Sequence, residues 1–236
     1  MKSLIAIVNA RHRQVWRDAI RGTWLKQVPR DKCDVFFFMG RGEPREFLKD
    51  EVELDCSDTY EHLPEKVRSI ARWAIEKNCY HHVLKCDDDV VLRPNDLLNS
   101  GFEKYDFSGK ANRPPQPYVV SFGFNYWLSR KSTMVVAESS LPADGSNDDE
   151  KWVAKNLWDN GITLVNDDRY RLHTGWEVYP EIIYRRALRP ARVIAPIKDP
   201  QMVSRCIHIE GHGITEEQKL KEFRTVFLKY GEKSPV

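Results

Sequence analysis

An α/β fold with a mostly parallel central sheet flanked by helices is what this chain predicts, on three observations. Leu4-Ile5-Ala6-Ile7-Val8 and Val35-Phe36-Phe37-Phe38-Met39 are unbroken apolar runs, as expected of strands buried on both faces. Such runs alternate with segments whose apolar residues recur at helical spacing. A further apolar run, His82-Val83-Leu84, leads into Lys85-Cys86-Asp87-Asp88-Asp89. In sheets of this kind ligands bind beyond the carboxyl ends of the strands, and that is where the three carboxylates fall.

In chain order, Leu4–Val8 opens as a central strand and a helix of about three turns follows, ending near Trp24. Val15, Trp16, Ala19, Ile20 and Thr23 give that helix its apolar face. Arg17 and Arg21 are four apart on another face, where two guanidinium forks suit an anion, a base edge or plain solvent. The second strand spans Asp34–Gly40, and Leu54-Asp55 reads as a short third strand. Pro64 fits a first helical position, and the spacing of Leu63, Val67, Ile70, Ala71 and Ala74 carries a helix to Asn78, its C-cap. The strand His82–Cys86 then delivers the acidic triplet and ends before Arg93-Pro94. Asn95–Ser100 reads as a short helix and Asp106–Pro117 as a Pro-rich loop.

Tyr118–Ser121 is a strand candidate, and the aromatic stretch Phe122–Ser129 serves either as core or as a wall for a sugar ring. Leu141–Asn147 is a loop. Asp148-Asp149-Glu150 opens a helix with Trp152, Val153, Leu157 and Trp158 as apolar positions, and Gly161 ends it. Acidic residues in a first turn ordinarily complement the helix dipole. Ile162–Val165 reads as a strand, Asp167–Pro200 as irregular and acceptor-facing, and Met202–Ile209 as a last strand. Thr215-Glu216-Glu217-Gln218 has capping-box spacing, with Leu220, Phe223, Phe227 and Tyr230 tracing a final helix to Gly231.

Composition bounds the function. The 236 residues suit one large domain or two small ones, with 41% hydrophobic and 31% charged residues. A formal net charge of +2 gives no electrostatic case for nucleic acid. The five cysteines, Cys33, Cys56, Cys79, Cys86 and Cys206, have no paired metal-ligand spacing and point to reduced thiols in a reducing compartment. The first apolar run is far too short for a signal or membrane-spanning segment, so no membrane span is expected. Either the protein is cytoplasmic or an anchor has been removed.

Three adjacent carboxylates repel one another, and burying any of them is costly without a partner or a cation. Hard divalent cations take oxygen ligands and commonly sit between protein carboxylates and substrate phosphates. Asp87 and Asp89 can reach one metal where a strand passes into a turn. This is the Asp-x-Asp pattern of metal-dependent nucleotide-sugar transferases, although an acidic turn in solvent has the same composition.

Four motifs together carry a resemblance. Arg17-Asp18-Ala19-Ile20-Arg21-Gly22-Thr23-Trp24 matches Arg-x-x-x-Arg-x-Thr-Trp; Asp58 to Lys66 matches Asp-x-Tyr-x-x-Leu-x-x-Lys; Lys85 to Asp89 matches Lys-x-Asp-Asp-Asp; Gly123 to Ser129 matches Gly-x-x-Tyr-x-Leu-Ser. In this order the chain resembles the β-1,3-galactosyltransferase family, which includes β-1,3-N-acetylglucosaminyltransferases and the more distant Fringe enzymes. The family's Glu-Asp-Val departs here to Asp149-Glu150-Lys151, with Gly161-Ile162 at the expected interval.

The resemblance implies a GT-A fold forming one glycosyltransferase domain, with residues 1–92 as nucleotide-binding half and 93–236 as acceptor-binding and catalytic half. It implies an inverting transfer of galactose or N-acetylglucosamine from a UDP-sugar to a glycan or glycoconjugate hydroxyl in β-1,3 linkage, with Mn²⁺ or Mg²⁺. Asp87 and Asp89, with His212 or His208, would hold the metal. Arg17, Arg21, Asp58, Lys66, Lys85 and Asp88 would attend the donor, with Asp87 shared. Glu150 would be the base, with Asp149 as its rival. The family's eukaryotic members are usually anchored in the Golgi lumen; the cysteine pattern favours instead a bacterial or viral cytoplasmic protein. An inactive carbohydrate- or UDP-binding module and a metal-dependent nucleotidyltransferase remain the alternatives.

Overall fold

Strand β1 (Lys2–Val8) sits inside a seven-stranded sheet because both its faces are apolar. Leu4, Ala6 and Val8 point to one face and Ile5 and Ile7 to the other, the two-residue alternation of a strand, and each set joins a different core cluster. The computed structural model describes residues 2–111, 118–172, 204–206 and 215–228.

Strands β2 (Cys33–Met39) and β3 (Glu51–Glu53) extend the sheet on one side of β1, and β4 (Tyr80–Asp87) pairs with it on the other, all parallel. Beyond β4 come β7 (Ser121–Ser129) and β6 (Phe107–Ala111), both joined by antiparallel pairing, and then β8 (Val165–Asn166), parallel to β6. The order is thus β3-β2-β1-β4-β7-β6-β8. A second, three-stranded sheet runs β5 (Val90–Leu92), β10 (Ser204–Cys206), β9 (Tyr170–Leu172).

Helices cover both faces. On one, α2 (Leu63–Lys77) packs against α4 (Arg130–Glu138) and α5 (Asp149–Asp159); on the other, α1 (Gln14–Gly22) packs against α6 (Glu216–Val226). A short α3 (Pro94–Leu98) follows β5. The local signals hold. Asn78 caps α2 at φ 52°, Gly161 follows α5 at φ 73°, and Thr215 and Gln218 close the capping box of α6. No helix among the described residues is long and apolar enough to cross a membrane.

Several elements differ from expectation. The third strand is Glu51–Glu53, not Leu54-Asp55. Asp106–Pro117 is not all loop: Phe107–Ala111 is β6, and its Gly109 fits because an added Cβ would meet the Tyr126 Cβ at 3.1 Å. The aromatic stretch Phe122–Ser129 is itself strand β7, rather than the residues before it. Helix α4 was unforeseen; Ser129 caps it, accepting from the Ser132 amide at 3.3 Å. Val90–Leu92 does not prolong β4 but enters the second sheet after a two-residue turn. Residues 162–165 and 202–209 yield only β8 and β10 among the described residues, and Tyr170–Leu172 is strand where irregular chain was expected.

Candidate active site

The strand order reverses beside β1, with β2 and β3 to one side and β4 to the other. Ligands in open α/β sheets bind in the crevice at such a switch point, beyond the carboxyl ends of the strands. Val8 and Asp87 are register partners at the ends of β1 and β4. The residues that follow them, Asn9 to Arg13 and Asp88-Asp89, therefore face each other across the crevice. A cavity of about 620 Å³ opens there, within the range of small-molecule sites.

Asp87 closes β4, and Asp88 and Asp89 make the turn into β5. The indole of Trp24 donates to the Val90 carbonyl at 3.0 Å and anchors the far side of that turn. Asp88 is buried and fully engaged: Arg13 grips it with two donors at 2.6 and 2.7 Å, and Asn9 donates to it at 2.5 Å. Expected to attend the donor, Asp88 lines the cavity but is taken up by Arg13 and Asn9. Asp87 and Asp89 both line the cavity. Burial pushes Asp87 up to about 7 against the pull of Lys85, and the charge of Asp89 adds to the rise.

The second half of the chain supplies the opposite wall. Asp148 caps α5 by accepting from the Lys151 amide at 2.9 Å, which places Asp149 and Glu150 in the first turn. Asp149 is 2% exposed, and its Oδ2 has no hydrogen-bond partner, lying 3.5 Å from the Lys85 ammonium. Glu150 is partly exposed in the cavity. Burial and the neighbouring Asp149 charge push it up to about 7. Its carboxylate lies over Gly123 of β7, where an added Cβ would come within 2.7 Å of the Glu150 Cδ. Any side chain there would have to push that carboxylate aside.

Lys85 joins the two walls. Its ammonium donates to Asp87 at 2.7 Å and to the Gly123 carbonyl, and it faces the Tyr126 ring at 5.8 Å from the centroid. Burial alone would lower its pKa, yet Asp149 and Asp87 hold it well above the ordinary value.

Asp58 and Lys66 also line the cavity, as a knot between loops. Asp58 accepts from the Arg11 amide at 2.6 Å, the Gly40 amide at 2.7 Å and Lys66 at 2.7 Å. Lys66 donates in addition to the Asn9 carbonyl at 3.0 Å. Gly40 is required there, since a Cβ would lie 2.6 Å from the Asp58 amide nitrogen.

The structure does not bring Arg17 and Arg21 to the cavity. Arg17 is fully buried and donates to Asn9, the Ala10 and Arg11 carbonyls and Gln14, with Glu51 at 3.1 Å. Arg21 pairs with Asp50 and Glu51, each at 2.8 Å. Arg17 braces the loop after β1 that lines the cavity, and Arg21 braces the start of β3. His208 and His212 lie outside the described residues. The flanking elements are anchored beside the triplet: Cys206 of β10 pairs with Val90, and Glu216 of α6 accepts from the Trp16 indole at 2.8 Å.

Sequence reasoning missed Asn9, Arg13, His12, Tyr60 and Gly123 as cavity residues. Tyr60 stands in the Asp58–Lys66 motif and is 69% exposed at the mouth. Gly123 opens its own motif and was legible as a glycine with a reason. Arg13 carries no signal, because only the fold sets it against Asp88.

The cavity suits a divalent cation by its donor chemistry. Its lining includes six carboxylates, Asp58, Asp87, Asp88, Asp89, Asp149 and Glu150, against three Lys and Arg side chains. Lys66 and Arg13 are committed to Asp58 and Asp88, and Lys85 bonds Asp87 and stands 3.5 Å from Asp149. No group of three or more His, Cys, Asp or Glu among the described residues forms a closed metal cluster. A cation here would take Asp87 and Asp89 and complete its shell with other donors.

Residues 15–113 match the family model described as Galactosyltransferase. Comparison with curated protein sequences gives no match. Among solved structures, the chain is similar to a glycosyltransferase involved in the glycosylation of the major capsid of PBCV-1. The TM-score is 0.52 at 10% identity, over 96% of this chain and 100% of that one. It is also similar to the galactosyltransferase LgtC, solved with donor and acceptor sugar analogs. There the TM-score is 0.51 at 9% identity, over 98% of this chain and 97% of that one.

Proposed function

We propose that this chain, whose residues 15–113 match the galactosyltransferase family model and which has the GT-A fold, is a metal-dependent transferase using a UDP-sugar. The observation that carries this reading is the convergence of Asp87 at the end of β4 and Asp89 in the turn after it with Glu150 from α5 on one cavity at the switch point of the sheet. One wall comes from the first half of the chain, read as the nucleotide side. The other comes from the second half, read as the acceptor side.

In this reading Asp87 and Asp89 hold Mn²⁺ or Mg²⁺, with His212 or His208 as a further ligand. When bound, the ion would neutralise charge on the diphosphate and so ease departure of UDP. Glu150 takes the proton from the acceptor hydroxyl as that oxygen attacks the anomeric carbon. The bond from that carbon to the phosphate oxygen breaks, and UDP leaves with the electron pair, inverting the centre. Glu150 is preferred to Asp149 because it is the one partly open to the cavity, while Asp149 is buried against Lys85. Its pKa near 7 suits a base at neutral pH.

The donor sugar is proposed as galactose or N-acetylglucosamine and the linkage as β-1,3. A cytoplasmic setting is supported by Cys33, Cys56, Cys79 and Cys86, all free thiols. The order Asp149-Glu150 in place of the family's Glu-Asp favours, as a second reading, a binding module that has lost turnover. The test is release of UDP from UDP-galactose, UDP-N-acetylglucosamine, UDP-glucose and UDP-xylose, each with Mn²⁺ and with EDTA. Metal-dependent release from one donor is expected. Metal-dependent UDP binding without release from any donor, with or without glycan acceptors, would leave the binding module standing.

A further inference from the structure

We propose that Lys85 is a positioning residue that couples metal loading at Asp87 to the placement of helix α5 and its base. The inference rests on the reading of Asp87 as a metal ligand and Glu150 as the base. Its own evidence is the position of one ammonium between two walls of the cavity. Lys85 bonds Asp87 at 2.7 Å and is only loosely ion-paired to Asp149 at 3.5 Å, where Asp149 Oδ2 makes no well-aligned hydrogen bond. A buried carboxylate oxygen left in that state is costly, so there is a standing pull on Lys85 toward α5. The same ammonium also holds the Gly123 carbonyl, and Gly123 is the residue on which the Glu150 carboxylate rests.

Lys85 is therefore the cation that occupies Asp87 when no other cation does. A divalent ion on Asp87 competes directly with it. Displaced from Asp87, the ammonium closes on Asp149 and ties the first turn of α5 to β4 and β7. Glu150 is the next residue along that turn. Metal binding and base placement become one event, so the site is completed only when the metal is present. Nothing is transferred covalently, and no proton changes hands.

Two measurements on the full chain test this, both made without any sugar donor. The first is Mn²⁺ affinity by electron paramagnetic resonance, using wild type, Lys85→Met and the charge-balanced double variant Lys85→Met/Asp149→Asn. Removing a competing unit charge within about 4 Å is worth a factor of ten or more at an effective dielectric of ~20. Lys85→Met should therefore bind Mn²⁺ at least about tenfold more tightly. A merely structural lysine would give the opposite sign, because its loss would loosen the site. Should Lys85→Met fail to fold, the double variant keeps the wild-type charge balance and should still bind Mn²⁺ no more weakly than wild type.

The second measurement is amide hydrogen exchange over residues 149–153 with and without Mn²⁺. Wild type should show slowed exchange on adding Mn²⁺, and neither variant should. Weaker Mn²⁺ binding in both variants, or Mn²⁺ protection of 149–153 that survives loss of Lys85, would overturn the coupling while leaving the metal reading intact. Absence of Mn²⁺ binding by wild type would overturn the metal reading and the coupling with it.

Discussion

Asp58 and Lys66 lie 2.7 Å apart, and between them they hold the ends of two chain segments beside the cavity. Asp58 takes the amides of Arg11 and Gly40, which follow β1 and β2, and Lys66 takes the Asn9 carbonyl from the first turn of α2. Eight residues separate the two in sequence, and the short 3-10 turn Tyr60–His62 carries the chain between them. The motif spacing is thus the length needed to leave the β3 side, turn, and enter α2 with Lys66 facing back.

Breaking this pair should cost stability before it costs chemistry. Lys66 is 2% exposed, and removing one partner of a buried pair typically costs about 3–5 kcal/mol. Lys66→Met should lower the unfolding free energy by that order in urea titrations. For a chain of this size the melting temperature should fall by about 6–20 °C. A variant as stable as wild type would show that the knot contributes little.

The two arginines of the first motif make a similar point. From sequence alone, two guanidinium groups on one helix face suit an anionic ligand. The structure directs Arg17 to Asn9, Ala10, Arg11, Gln14 and Glu51, and Arg21 to Asp50 and Glu51. Arg17→Met should therefore lower thermal stability markedly, and Arg21→Gln less so, since Arg21 is partly exposed. UDP affinity, measured calorimetrically at a temperature where each variant is folded, should change less than about threefold for Arg21→Gln. A loss of tenfold or more would restore Arg21 to the nucleotide.

These cases mark what was legible in the sequence. The parallel half of the sheet was readable because β1, β2 and β4 are buried on both faces and so carry unbroken apolar runs. The acidic triplet and the start of α5 were readable because carboxylates there need a reason. Strand β6 was hidden, since Phe-Ser-Gly-Lys-Ala has little strand propensity and is ordered by its pairing with β7. Helix α4 was hidden behind Ser129, which ends one element and caps the next. Which motif residues touch ligand and which brace the loops is a property of hydrogen-bond partners, and spacing alone carries no record of those.

Gly123 gives a sharper test of the base. An added methyl would lie 2.7 Å from the Glu150 Cδ, so Gly123→Ala must push that carboxylate aside. Gly123 is in β7, at ordinary strand geometry rather than positive φ, so alanine brings no backbone strain of that kind. UDP-sugar binding should persist while kcat falls about a hundredfold or more, the usual contribution of a positioned general base. Glu150→Gln should fall by a similar factor, and the double variant little further, because both changes remove one function. Additive losses in the double variant would mean that Gly123 acts through something other than Glu150.

Metal-free protein should respond to pH with an unusual sign. Carboxylates are ordinarily held low by folding, so that acid destabilises. Here burial raises Glu150 from 4.5 and Asp87 from 3.8, each to about 7. Between about pH 4 and 7 the folded chain then binds these protons more tightly than the unfolded chain does. Stability contributed by the protonated forms is fully present below the unfolded values and is lost as pH rises through 7. In EDTA, the melting temperature should therefore decline from pH 5 to pH 7.5. In Glu150→Gln that decline should shrink, because one of the two groups no longer titrates. Saturating Mn²⁺ should flatten it further, since a cation on Asp87 favours the charged form and returns its pKa toward the ordinary carboxylate range. A melting temperature that rises with pH across this window in EDTA would mean that Asp87 and Glu150 are charged in the folded chain and compensated by other groups.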